Sequence, residues 1–104
     1  MTDPRYCLFA LTASRRWGEA VAAHLGVPLS PLEERVFEDG EHKLRPLVNV
    51  RGREVFVLHS LYGEPTHSVD EKLVRLLFFI GALKDAAAAR VTGGVPYLGY
   101  ARKD

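Results

Sequence analysis

The first patterned stretch, Tyr6-Cys7-Leu8-Phe9-Ala10-Leu11, is apolar without interruption. A run with no polar alternation fits a strand covered on both faces, as in a parallel sheet. Thr12-Ala13-Ser14 follows, with Ser14 placed to cap a helix. Trp17, Ala20, Val21, His24 and Leu25 recur at helical spacing, and Gly26 with Pro28 supplies the stop. His24 falls on the apolar face of that helix and reads as structural.

Pro28 to Pro31 reads as a linker. Arg35-Val36-Phe37 and His42-Lys43-Leu44-Arg45 then flank Asp39-Gly40, a strong hairpin turn signal. Both arms are charged, which puts this hairpin at an edge or on the surface. A second turn surrounds Gly52, and Glu54-Val55-Phe56-Val57-Leu58-His59-Ser60 is an aliphatic, β-branched strand suited to burial. After a loop from Leu61 to His67, Ser68-Val69-Asp70-Glu71 has the form of a capping box, and a helix runs to about Asp85. Val69, Leu73, Leu76, Leu77, Ile80 and Leu83 form its main stripe, while Val74, Phe78 and Phe79 widen it past one face. A helix apolar nearly all round calls for a second partner besides its own sheet. Arg90 to Leu98 reads as the last strand. The order strand, helix, hairpin, strand, helix, strand predicts an α/β fold: an open, mostly parallel sheet with flanking helices and a β-hairpin.

Composition narrows the function classes. A length of 104 residues allows one domain with one packed core. Fourteen basic and thirteen acidic residues leave a net charge of +1, which argues against a broad electrostatic footprint for nucleic acid. The lone cysteine, Cys7, cannot form an internal disulfide and reads as a small buried residue of the first strand. Met1-Thr2-Asp3-Pro4 shows no charged-then-apolar leader, and the apolar run from Leu76 to Leu83 is too short to span a bilayer. A cytoplasmic location with no membrane contact is the expectation.

In open α/β sheets, ligands bind beyond the carboxyl ends of the strands. Here those ends are Thr12-Ala13-Ser14, His59-Ser60 and Tyr100-Ala101-Arg102-Lys103-Asp104. Arg102 and Lys103 have the chemistry of a phosphate clamp, or they belong to a solvated tail. Phe37-Glu38-Asp39-Gly40-Glu41 offers an aromatic face and acceptor carboxylates for a purine base, or it is an ordinary charged hairpin. His59 and Ser60 sit at a strand end where sites form, although a structural role for His59 is the simpler reading. The four histidines lack zinc-ligand spacing, and neither HExxH, CxxC nor a nucleophile elbow occurs. Thr92-Gly93-Gly94 lies inside the last strand, where close backbone packing explains the glycines better than a phosphate cradle.

Taken in order, Phe37-Glu38-Asp39-Gly40-Glu41, Val50-Arg51-Gly52-Arg53-Glu54-Val55-Phe56-Val57, the helix from Lys72 to Asp85, Ala89-Arg90-Val91-Thr92, Val95-Pro96-Tyr97 and Tyr100-Ala101-Arg102-Lys103-Asp104 form a combination with high specificity. It resembles the N-terminal domain of the phosphoribosyl pyrophosphate synthetases (ribose-phosphate pyrophosphokinases), which have a phosphoribosyltransferase-like fold, and the resemblance covers nearly the whole chain. The resemblance implies transfer of the diphosphoryl group of ATP to ribose 5-phosphate, giving phosphoribosyl pyrophosphate and AMP, with Mg²⁺ required. It implies a homo-oligomer in which Phe37, Asp39 and Glu41 grip the adenine of ATP held by a neighbouring subunit. It places Arg102, Lys103 and Asp104 beside the ATP phosphates, and His59 and Ser60 near the substrates.

Residues 1–104 correspond to a single N-terminal α/β domain. The family's C-terminal domain, with its phosphoribosyl-binding loop, metal-binding histidine and catalytic loop, is not among them. No catalytic residue and no metal ligand is therefore expected here, and the isolated chain is expected to be inactive. Departures from the family pattern include Lys103 where glutamine is usual, Leu11 where the first turn often has glycine, and His59 where glutamine is usual. A longer loop from Leu61 to Ser68, and Asp70-Glu71 for an Asn-Asp pair, mark a divergent subgroup. These departures also fit an alternative, a non-catalytic regulatory or assembly paralogue that associates with an active synthetase.

Overall fold

The computed structural model of the chain describes residues 5–36, 42–60 and 69–95. In chain order the elements are β1 (Tyr6–Ala10), a single 3-10 turn (Thr12–Ser14), α1 (Arg15–Leu25), β2 (Leu32–Val36), β3 (His42–Pro46), β4 (Glu54–Leu58), α2 (Val69–Asp85) and β5 (Arg90–Gly94). Strands β1, β4 and β5 form a parallel sheet in that spatial order, with Leu8 opposite Phe56 and Phe56 opposite Thr92. Strands β2 and β3 form a separate antiparallel hairpin in which Glu34 faces Leu44.

From Cys7 onward the apolar run of β1 is buried because both faces of the sheet are covered there, while Tyr6 stays exposed. Cys7, Phe9 and Leu11 join Val55, Val57, Leu76, Phe79 and Leu83 on the α2 side. Leu8 and Ala10 pack with Ala22 and Leu58 on the α1 side. Phe9 and Phe79 anchor the larger cluster edge to face, with ring centroids 5.2 Å apart. Such a contact adds about 1 kcal/mol beyond area burial. The hairpin does not extend the main sheet. Its Leu32 and Leu44 lie against the α2-side core, so its charged flanks face outward while alternate positions face inward.

Several local expectations shift. The buried face of α1 is Gly18 and Ala22, with Trp17 and Val21 beside them. His24 is exposed, as are Ala20 and Leu25, so the packed face is rotated from the predicted stripe. The reason is steric: close approach of α1 to Ala10 selects the smallest residues, not the most apolar ones. Ser14 makes no side-chain cap bond to α1. Strand β5 ends at Gly94, and Pro96, Tyr97 and Leu98 lie outside the described residues.

Helix α2 buries Leu76, Phe79 and Leu83, while Val74, Leu77 and Phe78 are each about half exposed on its outer side. On the opposite sheet face, α1 packs mainly on β1, and an apolar groove of about 650 Å³ lies beside Leu8, Phe56 and Leu58. Among the described residues, no helix is long and apolar enough to cross a membrane.

Candidate functional site

Parallel packing brings the carboxyl ends of β1 and β4 side by side, and α1 starts immediately beyond the first of them. The backbone ladder carries the alignment one residue past each strand. Leu11 N–H donates to the Leu58 carbonyl at 3.3 Å, and His59 N–H donates to the Gly94 carbonyl at 3.1 Å. Side chains then close the junction. Ser14 Oγ lies 2.8 Å from His59 Nδ1 and accepts the Ser60 N–H at 2.9 Å. One serine hydroxyl therefore joins the two strand ends.

A serine against a histidine has the outline of an activated nucleophile, but the environment argues otherwise. His59 is 0% exposed and Ser14 4% exposed, so neither side chain is open to solvent. Burial, with Lys72 adding charge repulsion, pushes the His59 imidazole down to about 4. Glu34 and the nearby Lys72 main chain pull the other way without offsetting burial. Among the described residues His59 Nε2 has no hydrogen-bond partner of good geometry, and none of their carboxylates orients the ring as a general base. The pair is a neutral structural tie.

A second polar knot lies beside the first. Glu34 occupies an inward position of β2, where alternation from Leu32 calls for an apolar side chain. Its Oε1 accepts the Thr12 N–H at 2.9 Å, and its Oε2 accepts Arg75 Nη1 at 2.7 Å. Arg75 Nη2 reaches Glu71 Oε2 at 3.1 Å. The Glu34 and Arg75 side chains are only 5% and 12% exposed. Burial raises the Glu34 pKa, but hydrogen bonds from Thr12 and Arg75 outweigh it and leave the carboxyl below its usual value. A single carboxylate thus fastens hairpin, first-strand turn and α2 together.

By contrast, the outer hairpin face is a solvated charge cluster. Glu33 accepts from Arg45 Nε at 2.6 Å, with Arg35 and Lys43 also close. The Arg45 hydrogen bond and the surrounding cations hold the Glu33 carboxyl below its usual range. Pairs of this kind add little to stability in water.

Of the residues singled out in the sequence, His59 and Ser60 are brought together with Ser14, and Ser60 is the more exposed of the two. Phe37, Asp39, Glu41, Arg102, Lys103 and Asp104 lie outside the described residues. Among the described residues, no group of three or more His, Cys, Asp or Glu side chains stands ready to hold a metal ion. Sequence reasoning passed over Ser14 as a linker between strands and Glu34 as an inward acid. The polar residue at a core-facing strand position was the available signal for Glu34.

Comparison with known proteins bears on the whole chain. Residues 6–104 match a family model described as the N-terminal domain of ribose phosphate pyrophosphokinase. The chain is 38% identical to a ribose-phosphate pyrophosphokinase of Ralstonia nicotianae, over 100% of this chain and 32% of that protein. It is 37% identical to a putative ribose-phosphate pyrophosphokinase 2 of Lactiplantibacillus plantarum, over 99% of this chain and 32% of that protein. The fold superposes on the crystal structure of a phosphoribosylpyrophosphate synthetase from Mycobacterium smegmatis with a TM-score of 0.83 and 35% identity. That match covers 94% of this chain and 32% of the other. The chain thus spans 32% of the length of these relatives.

Proposed function

The chain belongs to the family of N-terminal domains of ribose phosphate pyrophosphokinases, and from that premise we propose that it is the ATP-binding and oligomerisation half of a ribose-phosphate diphosphokinase. In this reading the β,γ-diphosphoryl group of ATP moves to the 1-hydroxyl of ribose 5-phosphate, and AMP leaves. Mg²⁺ enters with the ATP phosphates. Such a transfer depends on charge neutralisation and in-line positioning more than on a covalent nucleophile. That requirement agrees with a strand-end junction whose serine and histidine are buried and mutually occupied.

Phe37, Asp39 and Glu41 form the adenine grip, acting on the nucleotide of a neighbouring subunit. Arg102 contacts phosphate, with Lys103 and Asp104 beside it. Ser60, at the carboxyl end of β4, borders the substrates, while His59 holds Ser14 and supports that border. The half-exposed stripe of Val74, Leu77 and Phe78 supports self-association. We place the protein in the cytoplasm, and we expect the 104 residues alone to bind nucleotide without turning it over. The observation that carries the reading is the family match from residue 6 to residue 104, which includes both the hairpin segment and the terminal cations.

Calorimetric titration of the chain with Mg·ATP tests it. Arg102→Ala removes a charge-assisted contact worth about 1.5–3 kcal/mol, so affinity should fall roughly 10- to 100-fold. Phe37→Ala should weaken binding more at concentrations where the chain self-associates. No Mg·ATP binding by the wild-type chain, or equal binding by Arg102→Ala, overturns the proposal. Co-sedimentation with an active synthetase without any nucleotide binding would instead identify a non-catalytic assembly paralogue.

A further inference from the structure

Glu34 is out of place by the ordinary rules for strands. Leu32 and Glu34 share one side of β2, and Leu32 packs on the core. Leu44, opposite Glu34, packs there too. An apolar residue at 34 would add core contact, whereas a carboxylate must be desolvated. Replacing a buried ion pair by apolar residues of similar size is often neutral or stabilising. Stability therefore does not account for the acid. Its bonds account for it better. Both oxygens are used, one by the main chain of the turn after β1 and one by a guanidinium of α2. Arg75 is itself braced by Glu71 one turn earlier on the helix. Two residues beyond Glu34, β2 runs directly into the segment 37–41.

We propose that Glu34 is a positioning residue: its carboxylate sets the orientation of the β2–β3 hairpin against the carboxyl ends of β1 and β4. The inference deepens the nucleotide-binding reading and rests on it for what the hairpin holds. The clip itself rests only on the geometry. Thr12 and Ser14 belong to one turn, so the Glu34 bond and the Ser14–His59 tie meet within three residues. Through that turn, the hairpin and the β4 strand end share one frame. Glu34→Gln keeps an acceptor for Thr12 and loses the ion pair. A double variant, Glu34→Met with Arg75→Met, removes both links while keeping side-chain volume.

The test is residual dipolar coupling measured by NMR on the whole chain, with urea unfolding and amide exchange beside it. For the double variant, stability should stay equal or rise. Couplings of β1, β4 and β5 should remain those of the wild type, while couplings of β2 and β3 report a changed or averaged orientation. Thr12 amide exchange should rise roughly 10-fold, the loss of one charge-assisted hydrogen bond. Glu34→Gln should fall between the two. Hairpin couplings that fit the wild-type orientation in a stably folded double variant overturn the proposal. Addition of Mg·ATP separates the two readings. If the wild type shows no response to Mg·ATP, the nucleotide reading fails, and the couplings still decide whether Glu34 orients the hairpin.

Discussion

Acid should weaken this fold through His59 before the carboxylates titrate. The imidazole is fully buried and held at about 4, against 6.5 in an unfolded chain. Well above pH 7 both states are neutral at this residue, and it contributes nothing to the pH dependence. As pH falls through 6.5, the unfolded chain takes up a proton that the folded chain refuses until about pH 4. Unfolding is therefore favoured progressively across that window, with a slope of about 1.2 kcal/mol per pH unit at its centre. From pH about 7 to about 4.5 the loss amounts to about 2.5 kcal/mol, a large share of the roughly 5–15 kcal/mol available to such a domain. Glu34 acts in the same direction but lower. Its stabilisation is present above 4.5 and is lost only as pH falls through its depressed folded value. Urea unfolding followed by circular dichroism across this range should be run on the wild type and on His59→Gln. Glutamine can still hydrogen-bond Ser14 but binds no proton. The wild type should lose about 2.5 kcal/mol more than the variant. Parallel curves for the two proteins would refute the view of His59 as a buried neutral ring.

Two backbone-level predictions follow from close packing and from local strain. A Cβ on Gly18 would fall on the Ala10 Cβ, with backbone close behind, so Gly18→Ala should push α1 off β1 and cost about 1–3 kcal/mol in urea unfolding. Ala87 has φ of 68°, which disfavours a side chain, so Ala87→Gly should raise stability by roughly 0.5–1 kcal/mol in the same assay.

Much of the architecture was legible because single patterns determined it. The unbroken run from Tyr6 to Leu11 called for burial on both sides, which the structure shows from Cys7 onward, and the charged arms around Asp39-Gly40 signalled a hairpin whose β2–β3 pairing is observed while the turn itself lies outside the described residues. Close packing at Gly94 was also readable: a Cβ there would meet Leu58 Cδ2 at 2.9 Å. The junction at the strand ends was not readable in the same way. Ser14 looked like a cap because a serine before a helix usually is one, but the β4 end, 45 residues later, offered it a histidine and an amide instead. Non-local pairing of this kind leaves no local periodicity. Glu34 was hidden for a related reason, since its partners come from two other elements. The face of α1 was misjudged because apolarity marks buried positions less well than small size does where a helix backbone touches a strand.

We propose that these residues are the nucleotide-binding half of a diphosphoryl-transfer enzyme. The most direct measurement substitutes this chain for the matching N-terminal third of the Ralstonia nicotianae relative and follows AMP release from Mg·ATP. AMP should form in a reaction that depends on ribose 5-phosphate and is strongly reduced by Arg102→Ala. A folded hybrid that binds Mg·ATP yet releases no AMP with ribose 5-phosphate would contradict it.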